Sequence, residues 1–167
     1  MSTSIVVHHD LNCTPEELVE KIHWNEAYHQ AVFAKLDYRY ELVESNRETG
    51  VRKVRIWPSD IPGVVRKALG DDFHFFEEGV MDPATGRYEF KATPSAMSDK
   101  IGTTGYQFAT PLDGGGCRRE VCFDITANIK FLPGVGKIIE KFVVSTTRKS
   151  YDDSAGYIND FLAGRAL

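Results

Sequence analysis

The chain has 167 residues, of which 42% are hydrophobic and 26% are charged, and its formal net charge is −4. This is an ordinary soluble globular composition, and the length favours a single domain over residues 1–167. The negative net charge argues against a nucleic-acid partner, because such proteins need a basic surface. No apolar run is long enough to span a bilayer, and we expect no secretory leader.

The three cysteines show no metal-ligand spacing. Cys117 and Cys122 are five residues apart on one predicted strand, so they point to opposite faces and cannot pair with each other. An odd number of cysteines without a disulfide pattern is typical of a reducing compartment. We therefore predict a cytoplasmic location.

The first part of the chain combines one strand with two short helices. Alternation over Ser4–Leu11 predicts a half-buried strand. Thr14-Pro15-Glu16-Glu17 supplies an N-cap, a proline at the first helical position and a glutamate at the third, which together form a capping box. A short helix is expected there, with Leu18 and Ile22 on its buried face, and a second helix is expected over Trp24–Leu36.

The middle of the chain has a hydrophobic period of two, which predicts six further strands joined mainly by hairpin turns. The predicted strands are Tyr38–Val43, Val51–Trp57, Phe73–Met81, Arg87–Thr93, Thr103–Pro111 and Cys117–Lys130. A helical turn, Gly63–Leu69, is inserted between the second and third of these. Consecutive hairpins indicate an antiparallel sheet, so the fold class is α+β.

The stretch Leu132–Leu162 is predicted to form one long helix, with Pro133 in its first turn. Apolar residues recur along it at helical spacing and form one stripe. They are Val135, Ile138, Ile139, Phe142, Val143, Tyr157 and Phe161. A stripe of this length must lie on another surface, and the strands are the only candidate. We therefore predict a curved seven-stranded antiparallel sheet wrapped around this helix.

Four features together resemble the helix-grip fold of the START / polyketide-cyclase-like (SRPBCC) superfamily over nearly the whole chain. They are the opening strand, the Thr14-Pro15-Glu16-Glu17 helix start, the strand meander, and the segment Pro133-Gly134-Val135-Gly136-Lys137-Ile138-Ile139-Glu140. That last segment and the Ile61-Pro62 insertion resemble an uncharacterised bacterial branch. None of these features is a catalytic signature. The resemblance implies a hydrophobic cavity between sheet and helix, commonly occupied by a lipid, sterol or polycyclic molecule.

The residues expected to face such a cavity are rich in aromatic rings and include a few hydroxyls, as ligand pockets usually do. From the sheet they are His9, Tyr38, Tyr40, Tyr88, Phe90, Tyr106, Phe108 and Phe123, and from the helix Ile138, Phe142 and Thr146. These are the predicted ligand-binding residues. Alternation is equally compatible with a solid core filled by the same side chains.

Two further features each have two interpretations. The helix stripe turns polar at Thr146, Lys149, Ser150 and Asp153, which either form a polar end of the pocket or, for Lys149 and Asp153, pair with each other at the rim. The insertion Ile61–Leu69 either covers the pocket mouth as a lid or caps the core.

Metal and cofactor chemistry find no support in the sequence. His8 and His9 point to opposite faces of a strand, and neither HExxH nor CxxC occurs, so we predict no metal site and no cofactor. Acid–base chemistry is the stronger alternative, with His9 and a carboxylate, Glu77 or Asp124, acting in an apolar pocket.

We predict a protein that binds or transports a hydrophobic small molecule, lipid-like or polycyclic, without obligatory chemistry. The alternatives are a cyclase- or dehydratase-like enzyme and a protein-interaction adaptor. A basic streak of Lys137, Lys141 and Arg148 on the outer helix face is either solvated or makes transient contact with an anionic membrane.

Overall fold

The computed structural model describes residues 2–128 and 134–165. Its strands are β1 (Ser2–Leu11), β2 (Arg39–Asn46), β3 (Val51–Trp57), β4 (Phe75–Met81), β5 (Tyr88–Pro94), β6 (Ile101–Pro111) and β7 (Cys117–Ala127). Its helices are α1 (Pro15–Glu17), α2 (Glu26–Lys35), α3 (Gly63–Leu69) and α4 (Val135–Leu162), with a π-helical stretch, Leu18–His23, directly after α1. All seven strands form one antiparallel sheet in the order β1-β7-β6-β5-β4-β3-β2. The predicted α+β class, with a seven-stranded sheet and a long C-terminal helix, is confirmed.

The predicted capping box begins α1. The Thr14 hydroxyl accepts a hydrogen bond from the Glu17 amide at 3.2 Å, and the Glu17 carboxylate accepts one from the Thr14 amide at 3.1 Å. The second helix begins at Glu26 rather than at Trp24, because the Asn25 side chain accepts from the Tyr28 amide at 3.2 Å and so caps α2.

Alternation along each strand determines which side chains face the core. On β7 the residues Cys117, Arg119, Val121, Phe123, Ile125 and Ala127 are all buried. On β3 the buried residues are Arg52, Val54 and Ile56. Two arginines thus lie on faces that are otherwise almost entirely apolar.

The predicted inward orientation of Tyr106 and Phe108 is wrong. Buried Ile101 and Thr103 place the odd-numbered residues of β6 inside, so these two aromatic rings lie on the outer face of the sheet. There the Tyr106 hydroxyl donates to the Glu120 carboxylate at 3.0 Å, and the Arg87 guanidinium lies 3.6 Å from its ring centroid. The hydrogen bond to Glu120 and the cation–π contact with Arg87 stabilise the Tyr106 ring on the outer face, outside the core.

Helix α4 is anchored to the rest of the fold at two places. Ile139 and Ile158, 0% and 1% exposed, are its two buried residues. Ile139 packs with Val65 of α3, and Ile158 packs with Tyr28 of α2. The predicted inward orientation of Ile138 is wrong: it is 43% exposed, because neighbouring residues on a helix point about 100° apart.

Four residues of predicted elements lie outside the described ranges. They are Ile129 and Lys130 at the end of the last strand, and Leu132 and Pro133 at the beginning of the long helix. Among the helices of residues 2–128 and 134–165, none is both long and apolar enough to cross a membrane.

The anchoring of α4 predicts opposite outcomes for two adjacent isoleucines. Ile139→Ala should lower the free energy of unfolding by about 2–5 kcal/mol, since it leaves a cavity among buried side chains. The control, Ile138→Ala, should cost less than about 1 kcal/mol because its side chain is largely exposed. Urea denaturation of both variants checks this, and equal losses would contradict the helix orientation.

Candidate ligand-binding site

A cavity of about 240 Å³ lies between the concave face of the sheet and α4. Most of its wall is apolar. Side chains in that wall include Val32, Phe33, Val54, Ile56, Phe75, Phe90, Ala92, Phe142 and Val143. The volume is slightly below the roughly 300–1,000 Å³ of typical small-molecule pockets.

The cavity exists because part of the α4 face between its two anchors carries short polar side chains, beside the larger Phe142, Val143 and Tyr151. Thr146, Thr147, Ser150 and Ser154 line the cavity on the helix side. Ile139 and Ile158 lie about 28 Å apart along the helix axis at a rise of 1.5 Å per residue. Over that span, short polar side chains do not fill the distance to the sheet.

Five of the eleven predicted ligand-binding residues line the cavity: Tyr38, Tyr88, Phe90, Phe142 and Thr146. They come from the β2 edge, from β5 and from α4, so the fold brings together residues that are distant in sequence. Their role in binding remains a prediction.

The other predicted residues lie elsewhere. Tyr106 and Phe108 are on the outer face, and Ile138 is exposed. Phe123 is fully buried and stacks on Tyr151 with a centroid distance of 5.8 Å, which places it behind the cavity wall. These four residues therefore do not line the cavity.

His9 and Tyr40 lie one layer behind the wall, each bound to a cavity arginine. The Tyr40 hydroxyl accepts from Arg52 Nη2 at 2.6 Å and donates to the Glu26 carboxylate at 3.0 Å. His9 Nδ1 lies 3.2 Å from Arg119 Nη2, and its Nε2 lies 2.9 Å from Asp152 Oδ1. Because a guanidinium only donates, His9 Nδ1 accepts and its Nε2–H donates to Asp152.

Glu77 supplies a carboxyl group to the cavity wall from β4. Burial in the cavity wall raises the pKa of Glu77, while the Arg52 charge and the Tyr88 hydroxyl oppose that rise. The buried Tyr88 hydroxyl neighbours this carboxyl group but makes no hydrogen bond of good geometry within the described structure. Burial and the adjacent carboxylate also raise the pKa of Tyr88.

The π-helical stretch ends in His23, whose side chain lines the cavity beside that of Tyr88. Its ring lies 4.6 Å from that of Tyr88, and its Nε2 has no hydrogen-bond partner among the described residues. Burial, followed by the Arg52 charge, lowers the pKa of His23 to about 3. His23 is therefore neutral at physiological pH. A π-helical turn of this kind is frequently found at functional sites.

Arg119 of β7 reaches the cavity from the opposite side and is 5% exposed. Its Nη2 has three acceptors for its two N–H groups, so one hydrogen is shared: His9 Nδ1 at 3.2 Å, the Tyr151 carbonyl at 3.0 Å and the Ser154 hydroxyl at 3.2 Å. Its Nε is buried and has no partner in the described part of the chain. Burial lowers the pKa of Arg119, and burial likewise lowers that of His9 in spite of the hydrogen bond to Asp152.

Sequence reasoning missed the arginines of the site, although the pattern contained them. Arg52 has the same parity as Val54 and Ile56, and Arg119 has the same parity as Val121 and Phe123. A charged residue at an apolar position of a strand is the signal that would have identified both.

Two features of the sequence had two interpretations each: the polar part of the helix stripe and the Ile61–Leu69 insertion. Lys149 pairs with Asp153, and the lysine side chain is exposed. In α3, Val65 and Leu69 are buried in the core, whereas Val64 is 39% exposed. None of the three lines the cavity, so α3 caps the core.

Across the described ranges, no three histidine, cysteine, aspartate or glutamate residues are grouped as a metal site requires.

The family model described as "Protein of unknown function (DUF2505)" matches residues 7–162. No curated protein matches the sequence.

Several solved structures share the fold. The Zhui aromatase/cyclase from Streptomyces sp. R1128 has a TM-score of 0.63 and 13% identity, over 95% of this chain and 92% of its own. Norcoclaurine synthase from Thalictrum flavum, in complex with dopamine and hydroxybenzaldehyde, has a TM-score of 0.65 and 9% identity, over 98% and 88%. Ara h 8.0201 has a TM-score of 0.61 and 16% identity, over 95% and 98%. The predicted helix-grip fold is thereby confirmed.

The low pKa of His23 predicts a loss of stability in mild acid. The unfolded histidine binds a proton below about pH 6.5, whereas the folded one does so only near pH 3, so falling pH favours the unfolded chain. Between pH 7 and pH 5 this amounts to about 2 kcal/mol for His23. His29, whose pKa burial also lowers to about 3, contributes a similar amount, so His23→Phe should remove only the His23 part of the wild-type dependence. Urea denaturation at both pH values measures the difference.

The control for this experiment is Ala34→Gln, an uncharged change at an exposed position of α2. It should show the same pH dependence as the wild type. If His23→Phe also retains the wild-type dependence, His23 is not buried as described.

Proposed function

The chain belongs to the DUF2505 family, and from its interior we propose that it binds a compact hydrophobic molecule between the sheet and α4, as a carrier, store or sensor. The observation that carries the proposal is the apolar cavity of about 240 Å³, whose polar groups are confined to one region of the wall. An apolar space with a few convergent polar groups is the usual form of a small-molecule site.

The size of the cavity limits the class of ligand. An empty cavity of about 150 Å³ is enough to hold benzene, so about 240 Å³ suits one or two fused rings or a short single chain. It does not suit a two-chain lipid. The sequence predicts a lipid-like or polycyclic ligand, and the cavity volume favours a small molecule of that class.

The aromatic content of the wall favours a planar ligand. Four phenylalanine rings line the cavity, each from a different element: Phe33 of α2, Phe75 of β4, Phe90 of β5 and Phe142 of α4. Aromatic rings stack favourably on other planar groups. The likeness to a norcoclaurine synthase that holds dopamine and hydroxybenzaldehyde agrees with a small aromatic class, although at 9% identity it shows only a common fold.

Native mass spectrometry of the purified protein tests this proposal. We expect a stoichiometric bound mass that disappears in Ala92→Phe, because Ala92 lines the cavity and a phenyl group there would fill much of it. Lys91→Phe is the matched control, since Lys91 is on the same strand but on the exposed face. It should retain the bound mass.

Added 2-naphthamide extends the test to protein that is purified without a bound molecule. It should bind the wild type and Lys91→Phe and should not bind Ala92→Phe. Equal binding to all three proteins, or binding to none, would contradict the proposal.

A second candidate is acid–base chemistry on the bound molecule, of cyclase or dehydratase type. The observation that favours it is the desolvated Glu77 carboxyl group beside the Tyr88 hydroxyl in the cavity wall. A carboxyl group with a raised pKa is suited to proton transfer near neutral pH. His9, the other residue considered for this role, lies behind Arg119 and does not line the cavity.

The Glu77→Gln variant separates the two candidates. A dehydratase should leave a molecule on Glu77→Gln that is heavier by one water than the molecule bound to the wild type. A carrier should hold the same mass in both proteins. Mass spectrometry of the extracted ligands reads out the difference, with Glu78→Gln on the exposed face of β4 as the control.

A further inference from the structure

The interior of the protein contains more positive than negative charge. Arg52 and Arg119 are both buried, and both line the cavity. Arg52 is compensated by Glu77, which neighbours it in the wall, and by the hydrogen bond through Tyr40 to Glu26. His23 is neutral, so it adds no charge. The remaining unbalanced group is Arg119.

Arg119 touches no carboxylate within the described residues. Its three acceptors are an imidazole nitrogen, a carbonyl and a hydroxyl, all of them uncharged. The carboxylate of Asp152 is held one imidazole ring away, beyond His9, with 52% of its side chain exposed. A buried cation without a contacting anion is costly, and it is rare unless a ligand completes the pair.

Three buried polar atoms without hydrogen-bond partners among the described residues belong to side chains that line the cavity. They are Arg119 Nε, the Tyr88 hydroxyl oxygen and His23 Nε2. Arg119 Nε–H can only donate a hydrogen bond, and the Tyr88 hydroxyl can donate one as well. Each such atom loses free energy unless it is bonded, so the group that satisfies them must include an acceptor.

We propose that the bound molecule carries a carboxylate, which forms a charge-assisted hydrogen bond with the unpartnered Nε side of Arg119 while its apolar body fills the cavity. This inference rests on the proposed function and specifies its ligand class as a compact aromatic acid. The three acceptors around Nη2 hold the guanidinium in place, so little side-chain entropy is lost when the ligand binds.

The Glu77 carboxyl group does not oppose this assignment. It lies with Arg52 and Tyr88 on the β3 side of the cavity, whereas Arg119 enters from β7 and contacts the Tyr151 carbonyl of α4. The ligand carboxylate is therefore expected beside Arg119, with the aromatic body toward Phe90 and Phe142.

Calorimetric titration with 2-naphthoate and 2-naphthamide tests the inference. The two molecules have nearly the same shape, and only the first is charged. Wild-type protein should bind 2-naphthoate at least about tenfold more tightly, since a hydrogen bond to a charged group contributes about 1.5–3 kcal/mol. In Arg119→Met the preference should fall to about twofold or less, with the loss confined to 2-naphthoate.

Arg118→Met is the matched control. Arg118 is the next residue on β7, it is exposed, and it pairs with Asp10 at 2.7 Å. This variant changes the net charge by the same amount and should keep the full preference for 2-naphthoate. Arg119→Lys, which retains the charge without the guanidinium fork, keeps the test usable if Arg119→Met does not fold, and it should show a reduced preference.

The outcomes distinguish the two levels of the proposal. Binding of both molecules with equal affinity, or a preference that survives in Arg119→Met, would overturn the carboxylate assignment while leaving the cavity proposal in place. Binding of neither molecule to the wild type would overturn both. A preference lost equally in Arg118→Met would show a general effect of surface charge and would also overturn the assignment.

Discussion

The structure depends on how α4 is held against the sheet. Its two buried residues, Ile139 and Ile158, lie near its two ends, and the residues between them, such as Val143 and Tyr151, are only partly buried against the sheet. Ile139 fixes one end against α3, and Ile158 fixes the other against α2. Between these two contacts, Thr146, Thr147 and Ser150 are too short to fill the space in front of the sheet, and Ser154 meets only the long Arg119 side chain. The cavity is therefore a consequence of the order of side chains along one helix, and no separate element has to move to create it.

The polar groups of the interior are organised around two arginines that approach from opposite sides of the sheet. On the β3 side, Arg52 donates to Tyr40, which donates to Glu26, and the Glu77 carboxyl group is close enough to interact with the Arg52 charge. On the β7 side, Arg119 is held by uncharged acceptors and retains an unpartnered Nε. A buried cation without a contacting anion is costly, so the β7 side is where an anionic ligand group would be recognised. This asymmetry gives the cavity a polar end and an orientation.

Much of the fold was predictable because its signals are local. The capping box at Thr14, strand β3 and helix α3 were predicted with their correct bounds, and the long apolar stripe correctly indicated a helix lying on a curved sheet. The site was less predictable, since aromatic character alone does not determine a face: Tyr106 lies outside under Arg87. Which aromatic residues line the cavity depends on strand register and on the contacts of Arg52 and Arg119, and these are set by the tertiary structure.

The central claim is that side chains leave an apolar space open between β5 and α4. A crystal structure determined under xenon pressure tests it most directly, because xenon enters dry apolar cavities and is located without any assumption about the natural ligand. The account predicts xenon, or a bound molecule that excludes it, between Phe90 and Phe142 in the wild type. A crystal structure in which the protein's own aromatic side chains fill that space, with neither xenon nor another molecule present, would contradict the account.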